Sequence, residues 1–141
     1  MHSIAYFNIS NKEETMSEML RTLTTQRKKA HSRLLALRSP VYKAFCDMEQ
    51  AAYADRELPK MTKELIAVGI SVVIDCQSCM QWHIEQAAAS GASYAQVLEA
   101  VEVGIEMGGG PATVSARFAL AVMEDVYGKE AFDEACGRAR S

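Results

Sequence analysis

Apolar residues recur along most of the chain at spacings of three and four, which bring side chains onto one face of an α-helix. Prolines and glycines separate these segments, and both residues favour helix ends and turns. We predict helices over residues 14–38, 41–54, 60–75, 76–91, 93–107 and 111–127. The β-branched run Val72–Ile74 would also suit a strand, but no second strand candidate is available to pair with it. The pattern therefore predicts an all-α fold of about six helices.

The first helical segment, residues 14–38, combines a heptad-like apolar stripe with basic residues. The stripe runs through Met16, Leu20, Leu23, Arg27, Ala30, Leu34 and Leu37, and Arg27 interrupts it. Such a stripe is typical of an amphipathic helix packed on its own domain, and the alternative is a helix used in assembly with another subunit. No acidic residue lies among its basic residues, and such a run of charge predicts a solvent-exposed face of the helix. Residues 1–12 are expected to form a flexible arm.

The segment from Lys60 to about Asp75 has a different pattern, because it carries no charge between Leu65 and Ile74. Pro59 precedes it, at a position where proline favours the start of a helix. An uncharged apolar helix is expected to be buried on most faces. Glu64 lies at the edge of this segment, and a partly buried carboxylate there needs a partner.

Composition and charge narrow the class of protein. The chain has 141 residues, 49% of them hydrophobic and 23% charged, which suits a single domain over residues 1–141. The formal net charge of -3 argues against nucleic acid as a partner. No apolar run reaches the ~18 residues of a membrane span, so we expect no membrane contact. The N-terminus has no signal-peptide pattern, and we therefore predict a cytoplasmic protein.

The run Cys76-Gln-Ser-Cys79-Met-Gln-Trp-His83 carries the clearest chemical signal. On a helix, Cys79 and His83 are i,i+4 neighbours, so a dithiol and a proton acceptor share one surface. A free thiol has a pKa of about 8.5 and needs a base, a positive charge or a helix N-terminus to react near neutral pH. A helix start near residue 76 favours a thiolate at Cys76, whereas His83 favours one at Cys79. The spacing leaves both open.

Glu64 is the third candidate in this constellation. If its helix folds back on the cysteine helix, Glu64 can reach His83 or Cys79 and orient it or act as a general base. The alternative is an acid of the first helical turn that only interacts favourably with the helix dipole.

The dithiol itself has rival interpretations. Cys76, Cys79 and His83 could bind zinc or an iron–sulfur cluster, or the cysteines could be packing residues of a helical assembly module.

The motif, a glutamate separated by eleven residues from Cys-x-x-Cys-x-x-x-His, resembles the alkylhydroperoxidase AhpD-like branch of the carboxymuconolactone decarboxylase family. The lead-in from Leu58 to Ala67, the stretch from Ala87 to Ser93 and the break Gly109–Ala112 are similar to that family too. The resemblance covers roughly residues 40–127. The lactone decarboxylase branch is less compatible, because its chemistry does not use a Cys-x-x-Cys.

The resemblance implies an all-helical fold assembled as a homo-oligomer, either a trimer or a hexamer. It also implies an antioxidant oxidoreductase, a thiol-dependent peroxidase with peroxiredoxin-type activity or a disulfide reductase. Carried over, Cys79 is the peroxidatic nucleophile, Cys76 resolves it as a redox-active disulfide, and His83 with Glu64 forms the proton relay.

Such a protein needs no metal and no cofactor. Its partners are a hydroperoxide or disulfide substrate and an electron donor, either a protein or a small thiol. One position departs from the branch, because Ser78 stands where the best-known members carry a second histidine. A serine cannot act as a base near neutral pH, so weaker peroxidase turnover is expected.

Overall fold

The computed structural model describes residues 3–138, with side chains from residue 15 onwards. Its helices are α1 (Ser3–Ala36), α2 (Pro40–Tyr53), α3 (Lys60–Val73), α4 (Gln77–Ala89), α5 (Tyr94–Tyr127) and α6 (Lys129–Arg138). No strand occurs among the described residues. The prediction of an all-α fold is confirmed. The chain divides into two compact units, one ending at Asp47 and one beginning at Met48. The single-domain prediction stays a prediction.

The helix bounds correct two expectations and confirm a third. Helix α1 begins at Ser3 and so runs through most of the segment predicted as an arm, of which residues 1 and 2 lie outside the described part. The break predicted between the helices over 93–107 and 111–127 is confirmed, because Gly109 leaves the helical conformation within α5, with φ 65° and ψ -149°, and Pro111 starts the second half. Helix α6 follows the predicted last helix, where only a tail was expected.

The first unit consists of α1 and the first part of α2, and the turn between them is closed by local contacts. Arg38 adopts φ 51°, and Ser39 Oγ accepts a hydrogen bond from the Tyr42 amide at the start of α2. His31 Nδ1 lies 2.6 Å from the Tyr42 hydroxyl. Of the predicted stripe, Leu20 on α1 is buried, whereas Leu37, directly after α1, is three-quarters exposed.

The second unit is built on α3, α4 and α5, which pack against one another, with α6 against α5. Its core is formed by side chains with at most 1% exposure: Val68, Val72, Met80, Ile84, Ala87, Val97, Val101, Ala119, Val122 and Met123. The crossing of α3 and α5 is close, because a Cβ on Gly104 would lie 2.7 Å from the Gly69 carbonyl oxygen. The Ser93–Gln96 capping box opens α5.

Helix α3 is buried on one side only, which contradicts the expectation of burial on most faces. Val68, Ser71 and Val72 face the core, whereas Ile66 and Ile70 are about half exposed. These exposed side chains line an apolar groove of about 590 Å³ between α3 and the first half of α5. An uncharged sequence shows that a helix is apolar, but it does not show that another element of the same unit covers it.

Candidate functional site

The dithiol lies at the junction between α3 and α4. Helix α3 ends at Val73, and the chain reverses through Asp75, which adopts φ 52°. The Cys76 amide then donates a hydrogen bond to the Ser71 carbonyl at 3.1 Å, which anchors the turn to α3. Cys76 is the N-cap of α4, so both cysteines fall within the first turn of that helix. A disulfide joins Cys76 and Cys79, and both are partly exposed.

The start of α4 supports a thiolate at either cysteine. The Cys79 amide donates a hydrogen bond to Cys76 Sγ at 3.3 Å, in the position of a normal N-cap bond. A helix N-terminus also places partial positive charge next to both sulfurs. The dipole argument, which the sequence attached to Cys76 alone, therefore does not select one nucleophile.

Glu64 and His83 form the pair that the sequence suggested. The Glu64 Oε2 atom lies 2.8 Å from His83 Nδ1, and the Glu64 and His83 side chains are 3% and 15% exposed. Glu64 reaches α4 from the buried side of α3, because the two helices pack against each other. A deprotonated carboxylate only accepts hydrogen bonds, so the contact fits an imidazole with a proton on Nδ1, and in the neutral form of that ring the lone pair is on Nε2. This is the tautomer that can take a proton from a thiol.

Tyr53 completes the surroundings of His83, and the sequence analysis missed it. Its ring stacks on the imidazole with the ring centroids 5.2 Å apart and the planes inclined by 30°. Burial raises the pKa of the Tyr53 hydroxyl above its ordinary value of 10.0, and the negative charges of Glu64 and then Glu49 raise it further. The hydroxyl therefore stays protonated at neutral pH. No motif marks Tyr53, since it is the last residue of α2 and meets His83 only through the fold.

Two lysines of α3 hold this end of α2 in place. Lys63 Nζ donates a hydrogen bond to the Ala54 carbonyl at 2.6 Å, directly after Tyr53. The Lys60 amide donates to Asp55 Oδ1 at 2.7 Å, and Lys60 Nζ donates to Gln86 Oε1 on α4 at 3.2 Å. The connection from α2 to α3 is thus tied to both helices that carry the glutamate and the histidine.

A second contact, between Asp75 and Ser115, ties the cysteine turn to the second half of α5. The Ser115 hydroxyl donates a hydrogen bond to Asp75 Oδ1 at 2.7 Å, and Ser115 is buried. Aspartate is among the residues that tolerate the left-handed backbone conformation found at this position. The turn before Cys76 therefore has both a suitable residue and a fixed side chain.

The structure also describes Ser78, the two remaining cysteines, and the groups that were considered for a metal or a membrane. Ser78 is exposed in the first turn of α4, between the cysteines. Within residues 15–138, no group of three or more histidine, cysteine, aspartate or glutamate side chains is arranged to hold a metal ion. Cys46 and Cys136 are free thiols. None of the helices described here is long and apolar enough to cross a membrane.

The fold and the site define a class, a small all-helical protein with a dithiol at a helix N-terminus and a carboxylate-bound histidine one turn further on. The sequence profile of the carboxymuconolactone decarboxylase family matches residues 39–122. The chain belongs to the carboxymuconolactone decarboxylase family.

Two curated relatives extend this comparison. The chain is 39% identical over 85 residues to an uncharacterized protein in the cox locus of Paracoccus denitrificans, a match that covers 60% of this chain and 77% of that protein. It is 35% identical over 109 residues to an uncharacterized protein of Cupriavidus necator, which covers 77% of this chain and 96% of that protein. Neither relative has an assigned activity in its description.

Solved structures share the fold. The apo crystal structure of a carboxymuconolactone decarboxylase family protein from Legionella pneumophila has a TM-score of 0.66 and 31% identity, covering 80% of this chain and 97% of that one. A family member from Thermotoga maritima has a TM-score of 0.70 and 24% identity, covering 80% and 96%. A part in an antioxidative response has been suggested for the T. maritima protein. At this identity the likeness supports the fold alone.

Proposed function

We propose that this chain is a thiol-dependent oxidoreductase of the AhpD-like branch, which reduces hydroperoxides with its Cys76–Cys79 pair. The observation that carries the proposal is the joint placement of the disulfide at the start of α4 and the His83–Glu64 pair one turn along the same helix. A dithiol with a helix N-terminus and an oriented base meets the requirements for a reactive thiolate. The family resemblance favours the same assignment.

In the proposed cycle, His83 Nε2 takes the proton of the Cys79 thiol, and Glu64 stabilises the imidazolium through Nδ1. The Cys79 thiolate attacks the terminal oxygen of a hydroperoxide, the O–O bond breaks, and the leaving alkoxide takes the proton as an alcohol. Cys79 is then a sulfenic acid. The Cys76 thiolate attacks its sulfur, the disulfide forms, and hydroxide leaves as water. An external dithiol, or two molecules of a small thiol, returns two electrons and two protons and is itself oxidised to a disulfide.

Cys79 is assigned as the nucleophile because His83 lies one helical turn from it, and because the resemblance gives the second cysteine this role. Cys76 is assigned as the resolving thiol, since the Cys79 amide already donates a hydrogen bond to its sulfur. Ser78 supplies no second base, so we propose slow turnover with peroxide and a broader exchange with disulfide substrates. The electron donor is a dithiol protein or a small thiol.

The test uses intact mass after peroxide treatment of reduced protein, in a background with Cys46→Ser and Cys136→Ser. One equivalent of cumene hydroperoxide is added and remaining thiols are trapped with iodoacetamide. We expect the background protein to lose two hydrogens and take up no alkyl group. Cys76→Ser should retain a dimedone-reactive sulfenic acid at Cys79, and Cys79→Ser should leave Cys76 alkylated and peroxide unconsumed.

The contrary results are equally distinct. A reduced protein that remains fully alkylated after peroxide would exclude hydroperoxides as substrates, and the same trapping assay would then be run with disulfides. A sulfenic acid at Cys76 in the Cys79→Ser protein would reverse the two assigned roles. Light scattering on the active protein tests the proposed trimer or hexamer, and an active monomer would reject it.

A further inference from the structure

Tyr53 is the part of this site that the sequence motif does not account for. It lies outside the Glu–Cys–Cys–His pattern, yet its ring covers one face of the imidazole at a centroid distance of 5.2 Å. The ring is half-buried, and its backbone is held because Lys63 Nζ donates a hydrogen bond to the next carbonyl, that of Ala54. The contact is therefore fixed by the ends of two helices.

We propose that Tyr53 is a positioning residue for His83, whose ring keeps water off the imidazole and fixes its plane while Glu64 fixes Nδ1. The inference deepens the proposed function and rests on it for the role of His83 as base. Glu64 restrains one atom of the imidazole, and a single hydrogen bond leaves the ring free to tilt. A stacked ring removes that freedom. It also excludes water that would compete with Glu64 for the Nδ1 proton.

The role belongs to the ring and not to the hydroxyl. Among the described residues the Tyr53 hydroxyl has no hydrogen-bond partner, whereas the ring makes the stacking contact. The charged and titratable groups that act on Tyr53 are Glu64 from α3, Glu49 from α2 and His83 from α4. The two carboxylates oppose ionisation of the hydroxyl, so Tyr53 adds no charge to the site at neutral pH.

The consequence concerns which nitrogen of His83 is protonated. A neutral histidine can carry its proton on either ring nitrogen, and only the form with a free Nε2 can take the thiol proton. Without the Tyr53 ring, water reaches Glu64 and the imidazole, and the Nδ1–H form loses its advantage. His83 is then less able to take the proton of the Cys79 thiol, and the fraction of Cys79 present as thiolate falls.

The test compares Tyr53→Phe and Tyr53→Leu in the full-length chain, with Tyr127→Leu as the matched control. Tyr127 is also half-buried, packs edge-on against Tyr94 at 5.9 Å and has a pKa raised by burial, so its loss removes a similar contact elsewhere. The first readout is the position of the His83 proton, from the ¹⁵N shifts of the imidazole in reduced protein above neutral pH. The second is the rate of iodoacetamide alkylation across pH, with Cys79 as the only cysteine.

We expect Tyr53→Phe to retain the Nδ1–H form and the parent pH profile. Tyr53→Leu should give a mixture of ring forms and alkylate about tenfold more slowly at neutral pH, equivalent to a rise of about one unit in the midpoint of the profile. Tyr127→Leu should match the parent in both. The proposal is overturned by a parent-like Tyr53→Leu, by a Tyr53→Phe as impaired as Tyr53→Leu, or by equal impairment in Tyr127→Leu.

Neither readout uses peroxide, so the two proposals can fail separately. A protein that consumes no hydroperoxide, but in which Tyr53→Leu shifts the His83 proton and slows Cys79, would reject the proposed substrate and retain the role of Tyr53. A protein that consumes hydroperoxide, but whose Tyr53→Leu variant matches the parent in both readouts, would retain the proposed substrate and reject the role of Tyr53.

Discussion

Glu64 is a carboxylate with 3% side-chain exposure on a helix whose next ten residues are uncharged. Burying an ionised carboxylate is costly unless it is hydrogen-bonded, and His83 Nδ1 provides that bond at 2.8 Å. The dependence is mutual, because loss of either partner leaves the other buried and unsatisfied. The hydrogen bond that orients the imidazole therefore also offsets the cost of burying Glu64 in the core of the unit.

Glu64→Gln separates the charge of this pair from its shape. The amide has nearly the same volume and can still accept from Nδ1, but it does not stabilise an imidazolium. We expect the second-order rate constant for peroxide consumption to fall by about 10- to 100-fold, as for other carboxylates that orient a histidine. Glu99→Gln, at an exposed position on α5, is the control. Equal rates for Glu64→Gln and the parent would remove Glu64 from the relay.

At the scale of elements, α3 and α5 cross with almost no side-chain volume between them. A Cβ on Gly104 would lie 2.7 Å from the Gly69 carbonyl oxygen and 3.0 Å from the Val72 Cβ. A Cβ on Gly69 would lie 3.0 Å from the Ala100 carbonyl oxygen. The close approach brings α5 against the same helix that carries Glu64, so the crossing also determines where that helix lies.

Gly104→Ala is expected to lower the free energy of unfolding by about 1–3 kcal/mol, because backbone atoms must move apart to admit the methyl group. The gain in helix propensity from glycine to alanine is smaller, at most ~1 kcal/mol. Gly110→Ala is the control, since a Cβ there meets nothing within 4 Å. Urea unfolding of the reduced proteins measures both. A Gly104→Ala protein as stable as Gly110→Ala would show that the crossing relaxes without cost.

The turn between α3 and α4 depends on a contact with a third helix, since Ser115 of α5 donates to Asp75 Oδ1. Ser115→Ala should lower the free energy of unfolding by about 1 kcal/mol, and more if the Asp75 carboxylate is left without a partner. Asp75→Gly relieves the positive φ but removes the acceptor. In a double-mutant cycle we expect Asp75→Gly to cost about 1 kcal/mol less in the Ser115→Ala background than in the parent. Strict additivity would show that the hydrogen bond contributes nothing.

At the scale of the whole molecule, periodicity and chain breaks were sufficient to predict the helical class and most helix ends. Pro59, the Ser93–Gln96 box and Gly128 all stand at the ends where local chemistry places them. The glycine-rich stretch was also predicted as a break between two helices, and the chain kinks there at Gly109. Local patterns could not show which face of α3 is covered, because burial depends on elements far away in the sequence.

For the candidate site, too, local sequence patterns indicated some residues and could not indicate others. Cys76, Cys79 and His83 lie at the start and in the middle of one helix, so their proximity follows from spacing alone. Glu64 was a candidate because a partly buried acid at the edge of an apolar segment needs a partner. Tyr53 gave no such signal. Its contact with His83 joins the end of α2 to the middle of α4 through the packing of α3, and no pattern within either segment records it. The sequence therefore indicated the candidate residues that the fold brings together and missed the residue that packs on His83.

Three tyrosines make the stability of the molecule sensitive to alkaline pH. Burial raises the pKa values of Tyr53, Tyr94 and Tyr127 above 10.0, with added contributions from nearby negative groups at the first two. The Tyr127 hydroxyl also donates a hydrogen bond to the Ala92 carbonyl at 2.7 Å, which its phenolate cannot do. A group whose folded-state pKa is raised binds its proton more tightly in the folded state. Its contribution to stability is complete below the unfolded-state value and is lost as pH rises through the folded-state value.

The free energy of unfolding should therefore fall as the pH rises from about 10, the ordinary tyrosine pKa, and the fall should continue until the folded-state hydroxyls have ionised. Replacing the three tyrosines by phenylalanine should flatten this part of the profile. Urea unfolding at intervals between neutral pH and about pH 11 measures the slope. Tyr6 and Tyr42 remain in both proteins and serve as the common background of ionising tyrosines. Parallel profiles for the two proteins would show that the three hydroxyls titrate alike in the folded and unfolded states, and that their burial leaves no mark on stability.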